Sequence, residues 1–205
     1  MLIGILGLQG AWQKHAEKVS DLGYQTRFVK TPSDLEVCSH LIIPGGESTT
    51  FLRLLGRDSA LHDALQHYVR TRPVWGSCAG LILLATCVTS PSQHSLGVID
   101  ITVERNGYGR QLDSFIADDI DVVDESLQNV TGMLASGYFI RAPRITRCGE
   151  GVKVAMRYRG DVVAAFARNV CVTTFHPELT ESGYFHDWFI RTWAAINPPG
   201  CSATP

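Results

Sequence analysis

Cys78 stands where a chain would put a nucleophile. It lies in Pro73-Val74-Trp75-Gly76-Ser77-Cys78-Ala79-Gly80-Leu81-Ile82-Leu83-Leu84, an apolar strand running into a cysteine with a glycine two residues to either side, then an apolar helix. This G-x-nucleophile-x-G spacing matches the nucleophile elbow, a strained strand–turn–helix in which only small neighbours avoid a clash. Gly76, Ser77, Ala79 and Gly80 meet that demand. The turn would lift the sulfur clear of the sheet and set it at a helix N-terminus, where the dipole favours thiolate. A structural cysteine on a β–α turn would look the same, because free cysteine is among the most buried residue types. The reading therefore depends on partners.

A thiol nucleophile needs a base, and the base needs a group to hold its tautomer. Of seven histidines, His176 has the setting for it: Val170-Cys171-Val172-Thr173-Thr174-Phe175 reads as a buried strand and ends in His176-Pro177-Glu178. Pro177 biases His176 toward extended backbone. Residues i and i+2 of an extended segment point the same way, so Glu178 can accept from one ring nitrogen while the other faces the sulfur. A strand-end histidine with an unrelated glutamate is the plainer alternative. Coupled to the elbow, the pattern gives a nucleophile, a base and an orienter at strand C-termini, where open α/β sheets place their sites.

A third feature is Leu41-Ile42-Ile43-Pro44-Gly45-Gly46-Glu47-Ser48-Thr49-Thr50. Adjacent glycines let backbone N–H groups approach a ligand, as an oxyanion hole requires. Ser48 is placed to cap a helix through Phe51–Leu55. A plain tight turn with a capped helix fits as well. No Gly-Lys-Ser/Thr follows, so a phosphate loop fails. The glycines of Gly4-Ile5-Leu6-Gly7-Leu8-Gln9-Gly10 do not have dinucleotide-site spacing.

The elements that must position these groups follow from the pattern of apolar runs. Strands are expected at Leu2–Leu8, Tyr24–Val29, His40–Ile43 and Val74–Ser77, with helices at Trp12–Leu22, Ser48–Arg57, Ser59–Arg70 and after the elbow. Continuous apolar strands alternating with helices argue a mostly parallel sheet covered on both faces, an α/β three-layer fold of flavodoxin type. From Ile99 the chain turns to closely spaced β runs, at Ile99–Glu104, Asp113–Ala117, Gly137–Ile140, Lys153–Tyr158, Val162–Ala167 and Val170–Phe175. These are expected to form an antiparallel extension before a last helix, Ser182–Ala195. Residues 1–196 read as one domain and 197–205 as a loose tail.

Composition narrows the partners. With 205 residues, 45% hydrophobic and 19% charged, the chain can bury a proper core. A net charge of −2 offers no footprint for nucleic acid. No apolar run approaches a membrane span. The Leu2–Leu6 run is too short for a signal-peptide core and lacks a basic flank, so it reads as the first strand. The six cysteines (Cys38, Cys78, Cys87, Cys148, Cys171, Cys201) form no C-x-x-C pair, which suits free thiols in the reducing cytoplasm. His62 and His67 do not share a helix face and no H-E-x-x-H occurs, so no metal site is expected. His15 and His186 read as ordinary polar or partly buried helix histidines.

Taken together, the elbow, His-Pro-Glu and Pro-Gly-Gly-Glu-Ser resemble the class I (triad) glutamine amidotransferases. Leu6–Gly10, Gly45–Thr50, Val103-Glu104-Arg105-Asn106, Gly109-Arg110-Gln111, Phe139-Ile140-Arg141-Ala142-Pro143 and Phe175–Thr180 narrow the resemblance to the glutaminase subunits of pyridoxal 5′-phosphate synthases, from residue 2 to about 190. The resemblance implies hydrolysis of L-glutamine to glutamate and ammonia without a cofactor. The ammonia would pass, in a hetero-oligomer, to a synthase subunit that builds pyridoxal phosphate from a pentose and a triose phosphate. It implies Cys78 as nucleophile, His176 as general base and acid, and Glu178 as orienter. Glutamine contacts fall on Gly46, Glu47, Ser48, Arg105, Ile140 and Arg141, and the oxyanion hole on the N–H groups of Gly46 and Ala79. It also implies that the isolated subunit is nearly idle until its synthase binds. The departures from the family lie in Ser90–Ser95 and Asn197–Pro205, away from these positions.

The contacts make physical sense on their own. A free amino acid presents a carboxylate and an ammonium, for which Arg105 and Arg141 offer forked donors and Glu47 an acceptor, although surface arginines are usually just solvated. A glutaminase of another pathway, a peptidase on the same fold and a non-catalytic regulatory module are the competing readings.

Overall fold

A computed structural model describes residues 1–108, 114–128 and 136–196. The first half alternates strand and helix: β1 (Leu2–Leu6), α1 (Trp12–Asp21), β2 (Gln25–Val29), α2 (Pro32–Glu36), β3 (His40–Ile43), α3 (Ser48–Leu55), α4 (Ala60–Thr71), β4 (Val74–Ser77) and α5 (Ala79–Leu84). Strands follow: β5 (Ala85–Thr89), β6 (Ile99–Glu104), β7 (Phe115–Ala117) and β8 (Asp121–Val122). After the short α6 (Glu125–Gln128) come β9 (Gly137–Phe139), β10 (Arg144–Cys148), β11 (Lys153–Tyr158), β12 (Asp161–Ala167) and β13 (Val170–Thr173). A single 3-10 turn, Pro177–Leu179, leads to α7 (Tyr184–Ile196).

The main sheet runs β2-β1-β3-β4-β13-β12-β10-β6-β5, with β11 and β8 branching from β12. Pairings from β2 through β13 are parallel, and β12 turns the sheet antiparallel. This bears out the α/β class with its mostly parallel centre. One assignment changes: Val170–Thr173, expected in the antiparallel extension, pairs in parallel with β4 and completes the central sheet. Its antiparallel partner is β12, reached by a tight turn, and that local neighbour alone shows in the sequence. Strands β5 and β10 were not anticipated. The first follows α5 without a turn signal, and in the second only Ile145 is buried. Gly109-Arg110-Gln111, Asp113 and residues 197–205 lie outside the described residues.

Alternation along the strands divides the core. Ile3, Ile5, Ile42, Trp75 and Cys171 face one side, packed with Val19 of α1 and Phe185 and Phe189 of α7. Leu6, Leu41, Ile43, Val74 and Val172 face the other, against Phe51, Leu65 and Leu81. Helices thus cover both faces, as parallel sheets require.

Candidate active site

Cys78 sits between β4 and α5 at φ +47° and ψ −101°, a backbone conformation that L-residues rarely adopt. The flanking glycines show why the turn closes. A Cβ on Gly76 would meet the Gly80 backbone at 2.6 Å, and one on Gly80 would meet the Ile43 carbonyl oxygen at 2.1 Å. The Cys78 N–H donates to the Thr173 carbonyl (2.8 Å), which ties the turn to β13.

The same strand delivers His176. Thr173 lies beside Ser77 in the parallel register, so His176 emerges next to Cys78. Its backbone N–H donates to the Tyr138 carbonyl (2.9 Å), and its Nδ1 lies 2.7 Å from Glu178 Oε1. Both side chains are almost fully buried. Burial alone would lower the His176 pKa, but the facing Cys78 sulfur and the Glu178 carboxylate outweigh it and raise the pKa. Burial likewise favours protonated Glu178, and is overcome by His15 and by the hydrogen bond from His176, so its pKa is lowered. With Nδ1 engaged by the carboxylate, Nε2 is the nitrogen left for proton exchange.

Gly45 is packed against this pair: a Cβ there would meet His176 Cε1 at 2.3 Å and Cys78 Cβ at 3.3 Å. The loop is held from the N-terminal side. Ala11 N–H donates to the Gly45 carbonyl (3.0 Å), and the Gln9 amide both donates to the Glu47 carbonyl and accepts from the Glu47 N–H, each at 3.2 Å. The cap of α3 is Glu47 rather than Ser48. Glu47 accepts from the Thr49 and Thr50 N–H groups, while the Ser48 hydroxyl donates to Gln93 Oε1 (2.9 Å). A carboxylate with two oxygens serves two first-turn amides at once, which one hydroxyl cannot.

Gly46, Glu47, Ser48, Cys78, Arg105, Ile140, Arg141 and His176 line one cavity of about 150 Å³, joined by Ile82 and Asn106. Drug-sized sites run to roughly 300–1,000 Å³, so this one suits a metabolite of amino-acid size. Arg105 Nη2 lies 3.2 Å from Glu47 Oε1 and donates to Thr49 Oγ1 (3.1 Å). Arg141 is exposed and left-handed at φ +46°. It follows β9, the strand whose Tyr138 carbonyl fixes His176. Ala79 opens α5 directly after the sulfur-bearing residue. Among the described residues, no group of three His, Cys, Asp or Glu side chains is arranged to hold a metal.

Two histidines behind Glu178, expected to be polar or partly buried, are more enclosed than that. His15 and His186 are fully buried, and His15 Nε2 lies 3.4 Å from Glu178 Oε2. A signal was present: Trp12, His15, Ala16 and Val19 fall at i, i+3, i+4 and i+7, which puts a histidine on the apolar stripe of α1.

A solved structure of a glutamine amidotransferase superposes with a TM-score of 0.82 at 37% identity, covering 94% of this chain and 98% of that one. Fold and cavity together place the chain in the glutamine amidotransferase class. It is 45% identical over 188 residues to pyridoxal 5′-phosphate synthase subunit PdxT of Solibacter usitatus, covering 92% of this chain and 97% of that protein. It is 42% identical over 193 residues to the like-named subunit of Fervidobacterium nodosum, at 93% and 96% coverage. The SNO glutamine amidotransferase family model matches residues 5–195, and the chain belongs to that family.

Proposed function

We propose that the chain hydrolyses L-glutamine to L-glutamate and ammonia as the glutaminase subunit of a pyridoxal 5′-phosphate synthase. The observation that carries this is the buried His176–Glu178 pair, 2.7 Å apart, opening with strained Cys78 into a small cavity rimmed by Arg105, Arg141 and Glu47. Relatives that bear the synthase-subunit name over nearly their full length support the pathway.

In this mechanism His176 Nε2 takes the Cys78 proton as sulfur attacks the side-chain amide carbon. The N–H groups of Ala79 and Gly46 hold the oxyanion of the tetrahedral intermediate. His176 then protonates the amide nitrogen, the C–N bond breaks, ammonia departs and a thioester remains. Water, deprotonated by His176, attacks the thioester; glutamate leaves and the proton returns to sulfur. Glu178 holds the imidazole tautomer and offsets its charge. Arg105 and Arg141 receive the α-carboxylate and Glu47 the α-ammonium. Gly46, Ser48 and Ile140 complete the wall.

The ammonia goes to a separate synthase subunit. Docking of that partner near Gly7–Gly10 and Gly45–Ser48 would orient the Gly46 donor through the contacts of Ala11 and Gln9 with the glycine loop. Five described cysteines are free and no described helix is long and apolar enough to cross a membrane. Both support a cytoplasmic setting. Residues 1–196 then act as one glutaminase domain.

Ammonia release measured with and without the synthase subunit tests the reading. Activity is expected to rise strongly with the partner and to vanish in Cys78→Ala. Substantial release by Cys78→Ala would refute the nucleophile assignment.

A further inference from the structure

Glu178 has two oxygens, and His176 uses one. The other, Oε2, is buried without a hydrogen-bond partner, and its nearest ionisable neighbour outside the triad is His15 Nε2 at 3.4 Å. That distance is long for a hydrogen bond, and Nε2 also lies 3.2 Å from Ser77 Oγ. On its far side His15 Nδ1 is 3.0 Å from His186 Nε2. His186 Nδ1 is buried and unpartnered. Both rings pack edge-on against Trp75. Three elements, α1, α7 and the 3-10 turn, thus meet in a water-poor chain of two imidazoles and a carboxylate.

The direction of this chain follows from electrostatics. With the His15 proton on Nδ1, an Nε2 lone pair would face a carboxylate oxygen. His186 would then have to accept through Nε2 and leave an Nδ1–H buried without an acceptor. Both are costly in a low-dielectric interior. With protons on Nε2 of both rings, His186 donates to His15 Nδ1 and His15 points its N–H at Glu178. Burial keeps both rings in the neutral form, His186 the more strongly.

We propose that His15, oriented by His186, is a positioning residue of the glutaminase reaction: its Nε2–H holds the second oxygen of Glu178, so the carboxylate stays ionised and turned toward His176. The proposal rests on the glutaminase reading above. The groups that bear on the Glu178 carboxylate are His176, coupled to Cys78, His15 from α1, backed by His186 of α7, and its own backbone N–H; Lys18 acts on His186. Without the His15 N–H the carboxylate loses a stabilising donor, and it protonates at higher pH.

Two measurements decide this. Nitrogen-15 NMR of the labelled chain near neutral pH reads the tautomers directly: His15 and His186 are expected neutral with the proton on Nε2. A proton on His15 Nδ1, or a charged His15, overturns the proposal. The second is kcat and KM for ammonia release by the chain in complex with its synthase subunit. His15→Phe is expected to lower kcat about tenfold through a misdirected imidazole, with KM little changed. His15→Gln, which keeps a side-chain N–H, should recover part of the loss. An unchanged kcat in a folded His15→Phe, or a His15→Gln no better than His15→Phe, overturns the proposal. If His15→Phe does not fold, His186→Leu decides: a smaller loss of kcat at unchanged KM is expected, and none overturns it. Were the wild-type complex to release no ammonia, the glutaminase reading itself would have failed, while the tautomers would still be read by NMR.

Discussion

At the scale of single residues, Arg141 combines an exposed cation with a strained backbone. Its left-handed φ of +46° costs roughly 1–2 kcal/mol for a residue with a Cβ, and such strain persists where surrounding structure demands it. Arg141→Gly removes strain and cation together. KM for glutamine is expected to rise about tenfold or more, from the loss of a charge-assisted hydrogen bond, while the thermal midpoint holds within a few degrees. A midpoint that fell sharply with KM unchanged would make Arg141 structural instead. Glu47 gives a pH prediction. Burial would raise its pKa, but the Thr49 and Thr50 N–H groups and the Thr50 hydroxyl outweigh this and bring it to about 2. Its folded pKa lies below its unfolded one, so its contribution is complete above about pH 4.5 and is lost as pH falls toward 2. Denaturant midpoints between these pH values should therefore decline less in Glu47→Gln than in wild type.

Residue-scale legibility was uneven for a physical reason. Cys78 with its glycines, and His176 with Glu178, were readable because each group is held by neighbours two residues away. His15 and His186 were not, because their meaning comes from Glu178, which is distant in the chain from His15 and lies on another element. Ser48 was misassigned as the cap because a hydroxyl and a carboxylate compete for the same amides, and only geometry shows which reaches them.

At the scale of elements, two glycines that look alike in sequence do different work. Gly80 lets α5 settle on β3, since a Cβ would fall 2.1 Å from the Ile43 oxygen. Backbone cannot yield as a side chain can, so Gly80→Ala is expected to destabilise by about 3 kcal/mol or more, seen as a lowered denaturant midpoint. At Gly45 the intruding Cβ would strike the His176 ring. Gly45→Ala should keep most of its stability and lose most of its glutaminase activity. If both variants lost stability equally, Gly45 would be a packing position only. The parallel half of the sheet was legible from its unbroken apolar strands, whereas the parallel pairing of β13 was not. That pairing joins residues about a hundred positions apart, and no local pattern carries it.

At the scale of the molecule, the two core clusters share the strands of one sheet, so neither half has a core of its own. A single cooperative unfolding transition is expected by calorimetry, with agreement between calorimetric and van't Hoff enthalpies. Two resolved transitions would separate the β10–β12 region as an independent unit. The isolated 1–167 fragment is expected to aggregate, since it exposes one long side of β4 as an apolar edge.

Because β13 slots between two strands made earlier, the ribosome must have released most of the chain before sulfur and imidazole can meet. A growing polypeptide therefore carries an unarmed thiol for nearly its whole synthesis. Completion of the Cys78–His176 pair and closure of the sheet are then the same event, which spares the cell a half-built enzyme.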